Sequence, residues 1–370
     1  NRPEPMIPVV NRPILDHIVD ALEQAGVAEV VLVVGANRER IQSYFGDEQD
    51  RDVDISFVVQ DRQLGTGHAL LQAESEIGES FVALNGDRII DADLITSVWE
   101  RHKKTGEPSI GVTRVETPSQ YGVVELDGET VVGIEEQPLP ALAVSEFINA
   151  GVYAFTPGIF SAIRATESYG EQALTATLTE LSRERRVQAV RYQGLWVDVS
   201  VPWDLLTVTD SLLAYHGPPD GQAPSARIDE SAVVADDAVL GDDVVVHPQA
   251  AVLRGVALGE NVRVGPGVIL EDAILLPDVT LKRGAVVTDC VVGANATIGA
   301  NTTIEGGAAD VVLDDTVYQD VSFGGLIGDN VTVGGNATIA PGTIIGTNAT
   351  IGSGAYVSGR IDADSHVQRG

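Results

Sequence analysis

Two aspartates stand where phosphate chemistry could use them. Asp87 follows Asn85-Gly86 just after the apolar run 81–84, and Asp198 follows Trp196-Val197 at the end of another apolar segment. Carboxylate oxygens are hard ligands, and one from each position would suit a single Mg²⁺ bridging phosphate oxygens; a lone aspartate at a strand end otherwise serves as a cap or turn residue. Gln60 closes the apolar run 55–60 and is followed by Leu64-Gly65-Thr66-Gly67-His68-Ala69. An amide in that place can bond the edge of a base while Gly65 and Thr66 let the backbone approach the same ring; the plainer role is a solvated strand end. His68 is read as structural, bonded to a backbone carbonyl rather than moving protons.

The elements that must carry these groups alternate short apolar runs with amphipathic segments. Strands are expected at 30–34, 55–60, 81–84, 110–115 and 187–192, and a helix over 13–25 with Ile14, Ile18, Leu22 and Ala25 on one face, ending at Gly26. This is the pattern of parallel β/α units, a doubly wound α/β domain that binds ligands at the C-terminal ends of its strands.

From Ile228 a different period takes over. An aliphatic residue recurs at every sixth position through Val234, Leu240, Val246, Val252, Leu258, Val264 and Leu270. The phase slips by one residue to Leu275, Leu281 and Val287, slips again to Val292, Ile298 and Ile304, and resumes after an interruption at Ile327, Val333, Ile339, Ile345, Ile351 and Val357. Neither a helix nor a free strand repeats this way, whereas a three-sided solenoid does: each short strand plus corner points one aliphatic side chain inward, with glycine or asparagine at the tight corners. The break from Glu305-Gly306 to Gly324-Gly325 reads as an inserted loop, and Cys290, the only cysteine, as a small core residue. A single cysteine excludes a disulfide framework or a cysteine-based zinc site within the chain.

The chain has 370 residues with 54 acids against 23 bases, a formal charge of −31, and only Lys103, Lys104 and Lys282 as lysines. Nucleic acid is excluded as a partner, because phosphate-backbone binding calls for a basic stripe. No run of about 18 apolar residues is present to cross a membrane, and a cytoplasmic protein is expected. Acid excess with so few lysines reads as adaptation to molar salt, where the Debye length falls to about 3 Å.

The motifs occur in a fixed order: Arg2-Pro3-Glu4-Pro5-Met6-Ile7-Pro8-Val9, Asn11-Arg12-Pro13-Ile14-Leu15, Gln60 with the Gly65-Thr66-Gly67 turn, Asn85-Gly86-Asp87, Tyr121-Gly122-Val123, Ile134-Glu135-Glu136-Gln137-Pro138, Phe147-Ile148-Asn149-Ala150-Gly151-Val152-Tyr153, and Trp196-Val197-Asp198 with Pro202-Trp203-Asp204. In this order, followed by hexapeptide repeats, the chain resembles the sugar-1-phosphate nucleotidylyltransferases (nucleotide-sugar pyrophosphorylases), in particular bifunctional N-acetylglucosamine-1-phosphate uridylyltransferase/acetyltransferases. The resemblance implies a Rossmann-like α/β nucleotidyltransferase domain over 1–216, a linker at 217–227, and a left-handed parallel β-helix over 228–361. It implies Asp87 and Asp198 as catalytic Mg²⁺ ligands, a pyrimidine nucleotide at Gln60, Gly65 and Thr66, and a sugar pocket lined by Gly122, Glu136, Asn149 and Thr175. The expected substrates are UTP or dTTP with glucose 1-phosphate or an N-acetylhexosamine 1-phosphate, and the expected assembly is a homotrimer through the β-helix.

This sequence departs from the pattern in three places. The family's first strand and GxGTRxRP loop are expected upstream of Asn1, so we read the sequence as part of a longer natural protein. Glu4 and Gln137 stand where the family has lysines, and Ala176 replaces an aspartate after Leu174-Thr175. A sign reversal at Glu4 would matter if it faced the phosphates, where a unit charge pair about 4 Å apart is worth about 4 kcal/mol at an effective dielectric near 20. These departures favour a second reading, a catalytically silent subunit that binds nucleotide sugar and regulates an active partner. A third is acetyl transfer, but Phe323 and Leu326 occupy the positions of that chemistry's histidine and tyrosine, with His247 far upstream and His366 in the tail. The charge balance itself makes a prediction: the melting temperature should fall markedly between molar and low KCl, and a melting temperature independent of salt would contradict the halophilic reading.

Overall fold

The structure is a computed structural model that describes residues 3–35, 38–46, 51–167, 170–217, 223–313 and 316–368. Arg2 of the first motif and much of the expected linker therefore lie outside the described residues. The chain divides into two compact units, Asn1–Ile7 with Pro13–Val197, and Pro8–Arg12 with Asp198–Gly370.

In the first unit the helix over 13–25 forms as Ile14–Gln24. Its turns bury Ile14, Leu15, Ile18, Val19, Ala21 and Leu22, and Gly26 ends it at a positive φ of 81°. The helix Ala92–Thr105 starts at Asp91, whose carboxylate accepts from the N–H groups of Asp93 and Leu94. It ends with Lys103 and Lys104 in the last turn and Gly106 in the left-handed region.

The sheet differs from the parallel one expected. Glu29–Val34 and Asp54–Val59 form a parallel pair, but the main sheet has six strands in the order Phe81–Leu84, Phe147–Phe155, Ser109–Arg114, Gln188–Arg191, Thr130–Glu136 and Gly122–Asp127. Phe147–Phe155 runs antiparallel to both its neighbours, with Val152 opposite Leu84 and Ile148 opposite Thr113, and only Gln188–Arg191 beside Ser109–Arg114 is parallel. The long strand escapes alternation analysis because all but its first residue are buried, so no polar face marks its period. The hairpin of Gly122–Asp127 and Thr130–Glu136 was not anticipated either.

The second unit is the solenoid. Arg227 lies opposite Val245 and Val245 opposite Arg263, so one coil takes eighteen residues, three six-residue units; the two phase slips shorten coils to seventeen, as from Arg263 to Thr280. Each short strand ends on one of the periodic aliphatics, and Val246, Val264, Leu270, Val287, Ile298, Ile304, Ile339 and Ile351 have at most 1% exposure. Three residues before each of these anchors the chain turns a corner at positive φ, at Asp243, Asn261, Gly267, Gly284, Asn295, Asn301, Asn336 and Asn348. Asn and Asp tolerate that region better than other side-chain-bearing residues, which is why the corners read as Gly, Asn and Asp.

The interruption is a β-hairpin rather than a loop, Ala308–Leu313 against Thr316–Ser322, after which Gly325–Ile327 rejoins the ladder beside Cys290–Val292. Cys290 is fully buried, and burial pushes its thiol well above the usual range. The sequence pattern changes at 217–227, but packing puts the division at Asp198. The helix Asp204–His216 buries Leu205, Val208, Leu212 and Leu213 and packs on the strands Ile269–Leu275 and Val286–Val292.

If the inward register is right, Ile339→Ala, at a fully buried anchor, should cost about 2–5 kcal/mol of stability. Thr332→Ala, on an outward position, should stay within about 0.5 kcal/mol. Denaturant unfolding in molar KCl checks both, and equal effects would contradict the register.

Candidate functional site

The expected nucleotide residues come together in one open cleft of about 630 Å³ lined by Gln60, Gln63, Leu64, Gly65, Thr66, Ala69, Gly170 and Glu171. Two backbone hydrogen bonds stitch its loop in place: Gln172 N–H donates to Leu64 O at 2.7 Å, and Gly67 N–H donates to Gln172 O at 2.8 Å. Thr66 Oγ1 accepts from the Leu174 N–H at 3.0 Å. Gly65 can be nothing but glycine here, because its φ is +102° and an added Cβ would lie 2.6 Å from Gln172 O. Sequence reasoning missed Gly170, Glu171 and Gln172; Gln172 acts mainly through its backbone, for which the side-chain pattern carries no signal.

Gln60 is held in one orientation. Its Nε2 donates to Gly65 O at 3.3 Å and to His68 Nδ1 at 2.9 Å, so both amide protons are engaged and the amide oxygen is the group left for a ligand. The His68 ring meets the Gln60 amide rather than the backbone carbonyl expected of it.

The four residues expected at the sugar lie on a hairpin, a strand and a helix. Gly122 and Glu136 are paired across the hairpin, and a Cβ on Gly122 would meet the Glu136 carboxylate at 3.1 Å, so the glycine makes room for the acid. Asn149 is 6% exposed; its Nδ2 donates to the Tyr153 hydroxyl at 2.7 Å and its Oδ1 accepts from the Gly151 N–H at 3.0 Å. Burial pushes the Tyr153 hydroxyl up to about 12, opposed by the Asn149 hydrogen bond and the charge of Arg88 and reinforced by Glu136 and Asp87. Thr175 is buried in the first turn of the helix Leu174–Glu184. That helix runs along Thr130–Glu136, with Ser182 Oγ donating to Val132 O and Thr179 Oγ1 to Ile134 O, so its first turn comes level with Glu136.

Asp87 lies in the turn after Phe81–Leu84, in the first unit, with Arg88 Nε 4.0 Å from its Oδ1. Asp198 opens the second unit; its Oδ2 accepts from Ser200 Oγ at 2.6 Å. Nearby Asp204 accepts from the N–H groups of Ser200 and Val201, and its carboxyl is held above the usual range by burial, with the Asp198 charge acting in the same sense. Among the described residues no group of three or more His, Cys, Asp or Glu gathers to hold a metal. Single hard carboxylates fit Mg²⁺ bound through one or two protein oxygens, with phosphates and water completing its shell. Of the departures, Glu4 is exposed, and Gln137 sits at φ 43° with its amide donating to Gln120 O at 3.4 Å. Phe323 is fully buried, its ring 5.7 Å from that of Trp203, and offers no base.

Residues 1–215 match the nucleotidyl transferase family model, 244–323 the GMPPB C-terminal domain and 324–359 the bacterial transferase hexapeptide model of six repeats. The chain is 35% identical over 221 residues to the bifunctional protein GlmU of Methanococcus vannielii, covering 58% of this chain and 50% of that one. It is 33% identical over 216 residues to a glucose-1-phosphate thymidylyltransferase of Streptomyces antibioticus, covering 56% of this chain and 60% of the other. The chain thus spans about half the length of the curated relatives it matches. A UDP-glucose pyrophosphorylase crystallised with UDP-glucose shares the fold, with a TM-score of 0.53 and 22% identity over 57% of this chain and 90% of that one. Among the described residues no helix is long and apolar enough to cross a membrane. With the family model matching more than half of its length, the chain belongs to the nucleotidyl transferase family, an enzyme class here joined to a left-handed β-helix of hexapeptide repeats.

Proposed function

We propose that this protein joins UTP or dTTP to a hexose 1-phosphate, releasing pyrophosphate and an NDP-sugar. The observation that carries the reading is the fixed Gln60 amide in the cleft. With both its protons engaged, the amide presents an acceptor, which suits the N3–H of uracil or thymine and is mismatched to N3 of cytosine, itself an acceptor. Gly65 and Thr66 bring the backbone against the same ring. Glu136 and Asn149 bond sugar hydroxyls, with Gly122 and Thr175 shaping that end.

In the reaction a phosphate oxygen of the sugar 1-phosphate attacks the α-phosphorus, the bond from that phosphorus to the bridging oxygen breaks, and pyrophosphate leaves. No general base is needed, because the nucleophile is already an anion; alignment and charge stabilisation do the chemistry. Asp87 and Asp198 are the residues that would hold Mg²⁺, which when bound neutralises charge on the phosphate oxygens. Gln137, turned to a backbone carbonyl rather than supplying a cation, supports the alternative of a silent regulatory subunit.

We further propose a homotrimer in a salt-rich cytoplasm. Along one ladder of the solenoid the outward residues include Val233, Ile269 and Tyr356, exposed by 60%, 41% and 71%, which supports burial against other copies.

In the full-length protein with Mg²⁺, pyrophosphate release should depend on UTP or dTTP and a hexose 1-phosphate. Asp87→Asn should lower the rate by at least about a hundredfold, the scale of a lost transition-state stabiliser, while melting unchanged. Equal activity in Asp87→Asn would contradict the metal assignment. No release from the wild type, but release after Glu4→Lys with Gln137→Lys, would establish the silent subunit instead.

A further inference from the structure

The residue after Asp87 is an arginine, and the surrounding structure is built around its side chain. The Arg88 side chain is 16% exposed, its guanidinium carbon lies 5.5 Å from the centre of the Trp196 ring, and its Nη1 donates to Asn149 O at 3.4 Å. Trp196 is itself fixed, with Nε1 donating to Ala150 O at 2.9 Å and the Tyr121 ring against it at 5.5 Å. Gly151 completes the socket: its φ is +76°, and a Cβ there would lie 2.8 Å from Arg88 Nη1 and 3.1 Å from the Asn85 side chain. The strand bulges at this point, its register shifting between Asn149 and Tyr153. Indole, bulge and glycine thus hold one planar cation beside the carboxylate proposed to bind metal.

A fixed positive charge 4.0 Å from one oxygen of the carboxylate works against a second cation there. A nucleoside triphosphate brings several negative charges into the neighbourhood and offsets that repulsion. We propose that Arg88 is a positioning residue for Asp87: its fixed charge keeps divalent affinity low in the nucleotide-free protein, so that the metal is captured with the triphosphate rather than ahead of it. This rests on the assignment of Asp87 as a metal ligand.

The test is equilibrium binding of Mn²⁺ alone to the nucleotide-free, full-length protein, read from the free-ion electron paramagnetic resonance signal. Wild type, Arg88→Gln, Arg88→Lys, Asp87→Asn and the double variant Arg88→Gln/Asp87→Asn are compared, each with its melting curve. Arg88→Gln should bind Mn²⁺ about tenfold more tightly or better, Arg88→Lys should stay near wild type, and the double variant should lose the gain. Comparison with the Asp87→Asn proteins removes the weak binding expected of so acidic a surface. If Arg88→Gln loses its cooperative melt, Arg88→Met, which keeps an aliphatic stem on Trp196, takes its place. An unchanged or weakened affinity on removing the charge, with Asp87→Asn still reducing binding, overturns the role of Arg88 and leaves the metal site standing. Binding indifferent to Asp87→Asn in both backgrounds overturns the metal assignment and this inference with it.

Discussion

The backbone of Gln172 holds together the cleft proposed to take the nucleotide. Its N–H and C=O each bond the turn at Leu64 and Gly67, drawing it so close that position 65 has no room for a side chain. Each such bond nets only about 0.5–1.5 kcal/mol, but two at one residue fix both the height and the tilt of the turn. The Gly65 carbonyl then receives Gln60, His68 fixes the other amide proton, and Thr66 fastens the start of the helix that carries Thr175. The bonds that build the scaffold also fix the groups proposed to recognise the base. The cleft is held in place by them, so in the proposed reading little ordering opposes binding of a base.

In the second unit a corner residue comes three positions before most of the buried aliphatics, and its positive φ sets how the next short strand leaves. Asn, Asp and Gly all serve there. At Asp243, Asp278 and Asp364 the fold's need for a corner also places a charge on the surface, whereas the corner aspartates Asp272 and Asp289 are half-buried and burial raises their carboxyls. Exposed corners of this kind let the architecture carry many acidic residues outside its aliphatic core. The cost is self-repulsion at low ionic strength.

Much of this was legible in the sequence. The six-residue period located nearly every solenoid anchor, including both phase slips, because inward positions in a narrow core admit little but aliphatics. The turn after Gln60 was legible because Gly-Thr-Gly has few structural uses. The mixed sheet was not, since a strand buried on both sides leaves no alternation to read. The hairpin between Ile304 and Ile327 reads as a loop in the sequence because it has no apolar face to mark a strand: in Thr316–Ser322 only Tyr318 and Val321 are half-buried and the rest are exposed. Arg88 was visible as a letter, but its meaning comes from Trp196 and Gly151, far away in sequence, and only the fold brings them to it.

We propose that a fixed amide oxygen on Gln60 accepts the N3–H of a uracil or thymine ring. Equilibrium binding of UMP and of 3-methyl-UMP to the full-length protein tests it directly, because methylation removes that one donor and adds bulk where the oxygen stands. The account predicts that the methylated nucleotide binds at least about tenfold more weakly in the wild type, the loss expected when a buried acceptor goes unpaired. Equal affinity for the two nucleotides would contradict it.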